Sequence, residues 1–125
     1  MIEVVHRNNN SGTADIWQRI IAPAIHSAGE SLVSNSSVLA YVAENKNAIG
    51  YISNSFINSE IKSLRIEGVD IGNKDNWQKN SPLKRPLFLY VDENKITETI
   101  KTFIIFNLMD KNVKKIFHES GFFSS

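Results

Sequence analysis

Arg7-Asn8-Asn9-Asn10-Ser11-Gly12-Thr13 is the stretch on which the reading of this chain turns. It follows a short apolar strand pattern, Ile2 to Val5, and runs into an amphipathic segment bearing Ile16, Trp17, Ile20 and Ile21. A strand, a polar turn and a helix start, in that order, make a place to hold an anion. The first backbone N–H groups of a helix lack intrahelical partners, and the aligned peptide dipoles make that end partly positive. Gly12 admits a ligand close to the backbone, and Ser11 and Thr13 bring hydroxyls. Arg7 brings a planar fork of donors suited to a tetrahedral oxyanion. The same residues also read as an ordinary helix N-cap beside a solvated arginine. On these seven residues alone, both readings stand. The nucleotide P-loop is excluded, because no Gly-Lys-Ser/Thr is present, and so is the Gly-x-Gly-x-x-Gly dinucleotide fingerprint.

Outward from that stretch, residues 2–6 predict a short strand. The first helix is expected from Ser11 to no further than Ala22, because Pro23 disfavours a helical residue before it. Its Ile16, Ile20 and Ile21, with Trp17 flanking, have the spacing of a core-facing stripe. Ala24 to Leu32 is a connection of unassigned state broken at Gly29. Ser34-Asn35-Ser36-Ser37 caps a second helix over Val38, Leu39, Tyr41, Val42 and Ala43, ending near Asn45–Asn47. Ala48 to Ser53 is a strand in which Gly50 marks a bulge or a close backbone approach. Lys62 to Ile66 is another short strand, closed by Glu67-Gly68.

Residues 69–85 are polar and turn-rich, with Trp77 anchoring a loop. Pro86-Leu87-Phe88-Leu89-Tyr90-Val91 is the strongest strand signal, and its unbroken apolar run predicts burial on both faces. A third helix starts near Asp92–Asn94 and carries Ile96, Ile100, Phe103, Ile104 and Leu108 on one face. Asp110 caps a last helix with Val113, Ile116 and Phe117, and Gly121 stops it. Strands alternating with helices define an α/β class.

Bulk properties narrow the function. The 125 residues are one domain's worth, with 42% hydrophobic and 22% charged residues, as in ordinary globular chains. A net charge of +1 gives no signal for nucleic acid or membrane surfaces, so any basic site is local. With no cysteine, disulfides and thiolate sites are excluded. No apolar run approaches a membrane span of roughly 20 residues. The first residues lack a leader-like pattern, which fits a cytoplasmic chain or a processed one. His6, His26 and His118 lie at no metal-ligand spacing, no His-Glu-x-x-His or Gly-x-Ser-x-Gly occurs, and Ser11 has no identifiable base partner. Neither a catalytic activity nor a cofactor is expected.

Four segments give the chain a resemblance to the bacterial phosphate-binding proteins of ABC importers, which have the type II periplasmic-binding fold. Arg7 to Thr13 resembles that family's Arg-x-Asp/Glu-x-Ser-Gly-Thr, and Ala48-Ile49-Gly50-Tyr51-Ile52 resembles its Ala-Ile-Gly-Tyr-Val strand. Ser81-Pro82-Leu83-Lys84-Arg85-Pro86-Leu87-Phe88-Leu89-Tyr90-Val91 is similar to Tyr-Pro-Leu-x-Arg-Pro-Leu-Tyr-x-Tyr-Val. The C-terminal helical pair running into Ser120-Gly121-Phe122 is the fourth.

The resemblance implies a periplasmic-binding-protein-like lobe, a small mixed sheet flanked by helices. Residues 1–125 would form a single α/β domain, with 1–68 the anion-binding portion, 69–85 a loop or hinge, and 86–125 a strand and C-terminal helices. It implies phosphate or oxyanion binding at Arg7, Asn9, Ser11, Gly12 and Thr13, in a periplasmic or extracellular membrane-associated setting. Asn9 stands where the family carries a carboxylate that orients the arginine, and it would orient Arg7 or bond the ligand directly. The chain begins where the family's second lobe begins, so the implied partners are the missing first lobe and an ABC permease. A domain-swapped homodimer is the other way to cover the exposed faces. The alternative function is a stand-alone interaction or sensing domain that keeps the lobe without tight ligand binding.

Overall fold

The strand β1 (Glu3–Arg7) is the middle of a three-stranded sheet, in a computed structural model that describes residues 1–21, 29–76 and 83–122. On one side it pairs in parallel with β2 (Glu30–Leu32), and on the other with β3 (Ala48–Gly50). Parallel neighbours need crossover connections, supplied by α1 (Gly12–Ile20) between β1 and β2 and by α2 (Asn35–Glu44) between β2 and β3. The strand order β2-β1-β3 means that the chain steps to one side of β1 and then crosses it to the other. In open α/β sheets such a reversal leaves a crevice beyond the carboxyl ends of the strands, where ligands bind. Arg7 ends β1 at that edge.

The core of this unit is small. Val5 of β1 is 1% exposed, Ala14 of α1 0% and Val38 of α2 1%. Gly50 makes the approach of α2 possible: a Cβ there would sit 2.7 Å from Cγ2 of Val5 and 2.9 Å from Cγ1 of Val38. Gly50 therefore marks a close approach between layers, one of its two expected roles. The expected Ile16, Ile20 and Ile21 stripe is corrected, since Ile20 and Ile21 are exposed and the helix buries Ala14 instead. A three-stranded sheet is too narrow to cover a nine-residue helix, so the last turn stays in solvent. The connection before β2 hid a strand, because Glu30-Ser31-Leu32 has too few apolar residues to show alternation. Residues 22–28 lie outside the described residues.

Past β3, a 3₁₀ turn at Asn54–Phe56 leads to a hairpin of β4 (Arg65–Ile66) and β5 (Val69–Asp70). Its two-residue loop, Glu67-Gly68, has positive φ at both positions, 51° and 79°, as a type I′ turn requires. The antiparallel pairing thus belongs to this separate sheet and the parallel pairing to the first. A second 3₁₀ turn covers Lys74–Asn76. Trp77 lies outside the described residues.

Residues 86–125 form a second compact unit, distinct from 1–85. The expectation of a doubly buried strand over Pro86–Val91 is corrected. The segment is not paired in a sheet, and Leu87, Phe88, Leu89 and Tyr90 are exposed, Tyr90 to 90%. An apolar run becomes a strand only when a neighbour completes its hydrogen-bond ladder. No strand occurs among the described residues of this unit.

The helix α3 (Glu98–Met109) starts later than expected. Asp92 caps a 3₁₀ turn at Glu93–Lys95, and Thr97 caps the helix itself, leaving Ile96 before it. Ile100, Phe103, Ile105, Phe106, Leu108 and Met109 are all exposed, so α3 is apolar nearly all round rather than on one stripe. The last helix, α4 (Lys111–Glu119), is capped by Asp110, whose carboxylate accepts from the Asn112 and Val113 N–H groups. Its end has Schellman geometry: the Phe122 N–H donates to Phe117 O and the Gly121 N–H to His118 O, with Gly121 at φ 91°. The Phe117 and Phe122 rings close the motif edge to face at 6.3 Å.

Candidate anion site at the carboxyl edge of the sheet

The turn after β1 is built by its own hydrogen bonds. The Asn8 N–H donates to Leu32 O, tying the turn to the end of β2, and the Ser11 N–H donates to Asn8 O at 3.1 Å. Ser11, in extended conformation and 6% exposed, is the N-cap of α1, and its Oγ accepts from the Ala14 N–H at 3.3 Å. The cap and the anion site are compatible. Oγ uses a lone pair for the cap, which leaves its hydrogen free to donate. The Gly12 and Thr13 N–H groups have no backbone acceptor among the described residues. Those are the groups a helix start offers to an anion. Asp15 in the first turn is paired with Arg19 one turn on, at 2.7 Å.

Arg7 is held from three sides. Its backbone N–H donates to the Tyr51 hydroxyl at 3.3 Å, Nη1 to Oδ1 of Asn35 at 2.7 Å and Nη2 to Val33 O at 3.1 Å. Its Nε is buried and has no hydrogen-bond partner. Asn35 is the first residue of α2, fixed there by a reciprocal capping box between Ser34 and Ser37. Its Oδ1 also accepts from the Ser53 N–H at 3.3 Å, so one side-chain oxygen joins the end of β1 to the segments after β2 and β3.

Of the two roles expected of Asn9, orienting Arg7 falls to another residue in the structure. Asn9 lies exposed in the turn and makes no hydrogen bond to Arg7. Asn35 orients the arginine instead. The sequence marked Asn35 only as part of a cap, because nothing in its local pattern tells which strand end its side chain will meet.

Two more residues at this edge escaped the sequence reading. Tyr51 follows β3, and its ring stacks on that of Trp17 from α1, with centroids 4.8 Å apart and planes 11° from parallel. Arg85 lays its guanidinium against Gly12: a Cβ at Gly12 would collide with Nη1 and lie 2.9 Å from Cζ and 3.0 Å from Nη2. No cluster of His, Cys, Asp and Glu that could hold a metal occurs among the described residues. No helix among them is long and apolar enough to cross a membrane.

A parallel sheet of order β2-β1-β3 with capped helices, and an arginine held at its carboxyl edge, has the architecture of a lobe of the periplasmic-binding-protein-like class. Among solved structures, the chain is similar to a protein assigned as a phosphate ABC transporter substrate-binding protein from Clostridium perfringens, determined with bound phosphate. The TM-score is 0.80 at 29% identity, over 99% of this chain and 52% of that one. An ABC-type phosphate transport receptor from Vibrio cholerae gives 0.78 at 26% identity, over 99% of this chain and 53% of that one. Among curated proteins, phosphate-binding protein PstS 2 of Streptococcus agalactiae is 26% identical over 97% of this chain and 45% of its own length. Phosphate-binding protein PstS of Staphylococcus aureus is 29% identical over 97% of this chain and 39% of its own length. A scan against protein-family profiles found no match. The chain thus resembles phosphate receptors in both sequence and fold, and spans about half the length of the relatives it matches or less.

Proposed function

We propose that this chain binds inorganic phosphate, or a closely similar oxyanion, as the second-lobe portion of a receptor that delivers phosphate to an ABC importer. It performs no chemistry on its ligand. The observation that carries the reading is Arg7: its two Nη groups are anchored by Asn35 and Val33, while Nε is buried without an acceptor. A guanidinium fixed in that way at the carboxyl edge of the sheet is preorganised to meet an oxyanion at the helix start that follows it. Arg7 neutralises the anion, Gly12 and Thr13 donate backbone N–H groups, Ser11 and Thr13 donate hydroxyls, and Asn9 bonds the ligand from the turn. Relatives named as phosphate-binding proteins and a structural neighbour solved with bound phosphate support the choice of anion.

The rest of the ligand shell comes from the remainder of such a receptor, and the importer's permease is the downstream partner, at a periplasmic or extracellular membrane-associated site. The exposed apolar residues of 87–91 and of α3 are the surfaces that remainder covers, or that a second copy covers in a swapped dimer. Those same surfaces favour the second reading, an interaction domain that has lost tight binding. Titrating phosphate into the wild-type and Arg7→Ala proteins separates the two: saturable binding lost with Arg7 supports the receptor, and no binding supports the interaction domain.

A further inference from the structure

We propose that Arg85 is a second cation of the anion site, donating from its guanidinium to a phosphate seated at the start of α1. The inference rests on the phosphate reading and adds to it a residue from outside the Arg7–Thr13 stretch. Three observations lead to it. The guanidinium lies against Gly12, with Nη1, Cζ and Nη2 all in the space where a side chain at that position would stand. Among the described residues Arg85 makes no hydrogen bond or ion pair, although its neighbours Leu83 and Lys84 do make interactions. It also stands next to a helix end that is itself partly positive, beside N–H groups that have no acceptor.

That arrangement is electrostatically unfavourable as it stands. Cations are stabilised at helix C-termini and disfavoured at N-termini, so the helix end itself gives a guanidinium no attraction. An anion between the two reverses the sign, because the helix end and the arginine then both face negative charge. A guanidinium can meet phosphate oxygens in a bidentate fork, and only a residue without a side chain at position 12 leaves space for that plane. Gly12 thus has a second function: besides its own N–H, it makes room for Arg85. The chemistry required of the ligand is a compact multivalent oxyanion with oxygens to spare for two arginines and a helix start.

The test is a titration of inorganic phosphate at constant ionic strength, followed by backbone and Trp17 indole NMR shifts. It uses the wild-type, Arg85→Gln, Arg85→Lys and Gly12→Ala chains, with thermal midpoints measured without phosphate. Arg85→Gln should weaken binding at least about tenfold, the loss expected for a hydrogen bond to a charged group. Arg85→Lys, which keeps the charge and loses the fork, should fall between the two. Gly12→Ala keeps the backbone N–H but displaces the guanidinium, so it should weaken binding in the same direction. The phosphate-free midpoint of Arg85→Gln should equal or exceed the wild-type value, because a cation has been removed from a positive helix end. Wild-type binding that Arg85→Gln matches within twofold overturns this inference alone. A lower phosphate-free midpoint in Arg85→Gln also overturns it, by making Arg85 a structural group. Failure of the wild-type chain to bind phosphate overturns the parent reading and this one with it.

Discussion

Nη1 of Arg7 donates to Oδ1 of Asn35 at 2.7 Å, and that bond joins the end of β1 to the first turn of α2. The same oxygen accepts the Ser53 N–H. Asn35 is a positioning residue for the arginine. Removing its side chain in Asn35→Ala should cost about 1–2 kcal/mol of stability, because a charged and a neutral donor each lose an acceptor. Phosphate affinity should fall several-fold, less than in Arg7→Ala. Asn35→Asp should separate the two effects. Its carboxylate keeps Arg7 in place but sets negative charge near the anion, so it should preserve stability and weaken phosphate binding. Chemical denaturation and phosphate titration of the three proteins check both halves.

Gly50 carries the contact between sheet and helix. With Val5 and Val38 methyls 2.7 and 2.9 Å from the position of a new Cβ, Gly50→Ala overpacks the centre of the core. The expected loss is about 1–3 kcal/mol, read as a drop in the thermal midpoint. An unchanged midpoint would mean that α2 is free to shift away from β3.

The apolar surface of the second unit predicts association. Phe103 is 60% exposed and Tyr90 90%, and exposed apolar patches of this kind mark interfaces. Light scattering should show mass rising with concentration toward a dimer, consistent with exchange of residues 86–125 between two chains. Phe103→Lys together with Phe106→Lys should return the mass to that of one chain. A one-chain mass for the wild type at high concentration would contradict the prediction.

Much of this architecture was legible because the signals are local. Ser11, Ser34, Asp110 and Gly121 sit where caps and stops are needed, and each acts through backbone groups within a few residues. Strand β1 and helix α2 followed from short-range pattern for the same reason. What failed depended on partners distant in sequence. Leu87 to Val91 has the composition of a buried strand, yet burial requires a neighbour that composition does not specify. Ile20 and Ile21 have core spacing, but a narrow sheet leaves the end of α1 uncovered. The site divided along the same line. Of the proposed site, Arg7, Ser11, Gly12 and Thr13 lie within one seven-residue stretch, whereas Asn35, Tyr51 and Arg85 reach that edge only through the fold.

In the proposed function, Arg7 and the start of α1 hold phosphate together. Calorimetric titration of phosphate into the wild-type chain, repeated with Arg7→Ala and Ser11→Ala, measures what each group contributes. Tight sites enclose about 70–90% of a small ligand, and residues 1–125 span about half the length of the phosphate receptors they resemble. The wild-type dissociation constant should therefore be about 0.1 mM or weaker, near −5.5 kcal/mol. Arg7→Ala should lose more affinity than Ser11→Ala, because a bond to a charged donor contributes about 1.5–3 kcal/mol and a neutral one about 1. Saturable binding with that order of losses is the predicted result; an Arg7→Ala protein that binds phosphate as well as the wild type would contradict it.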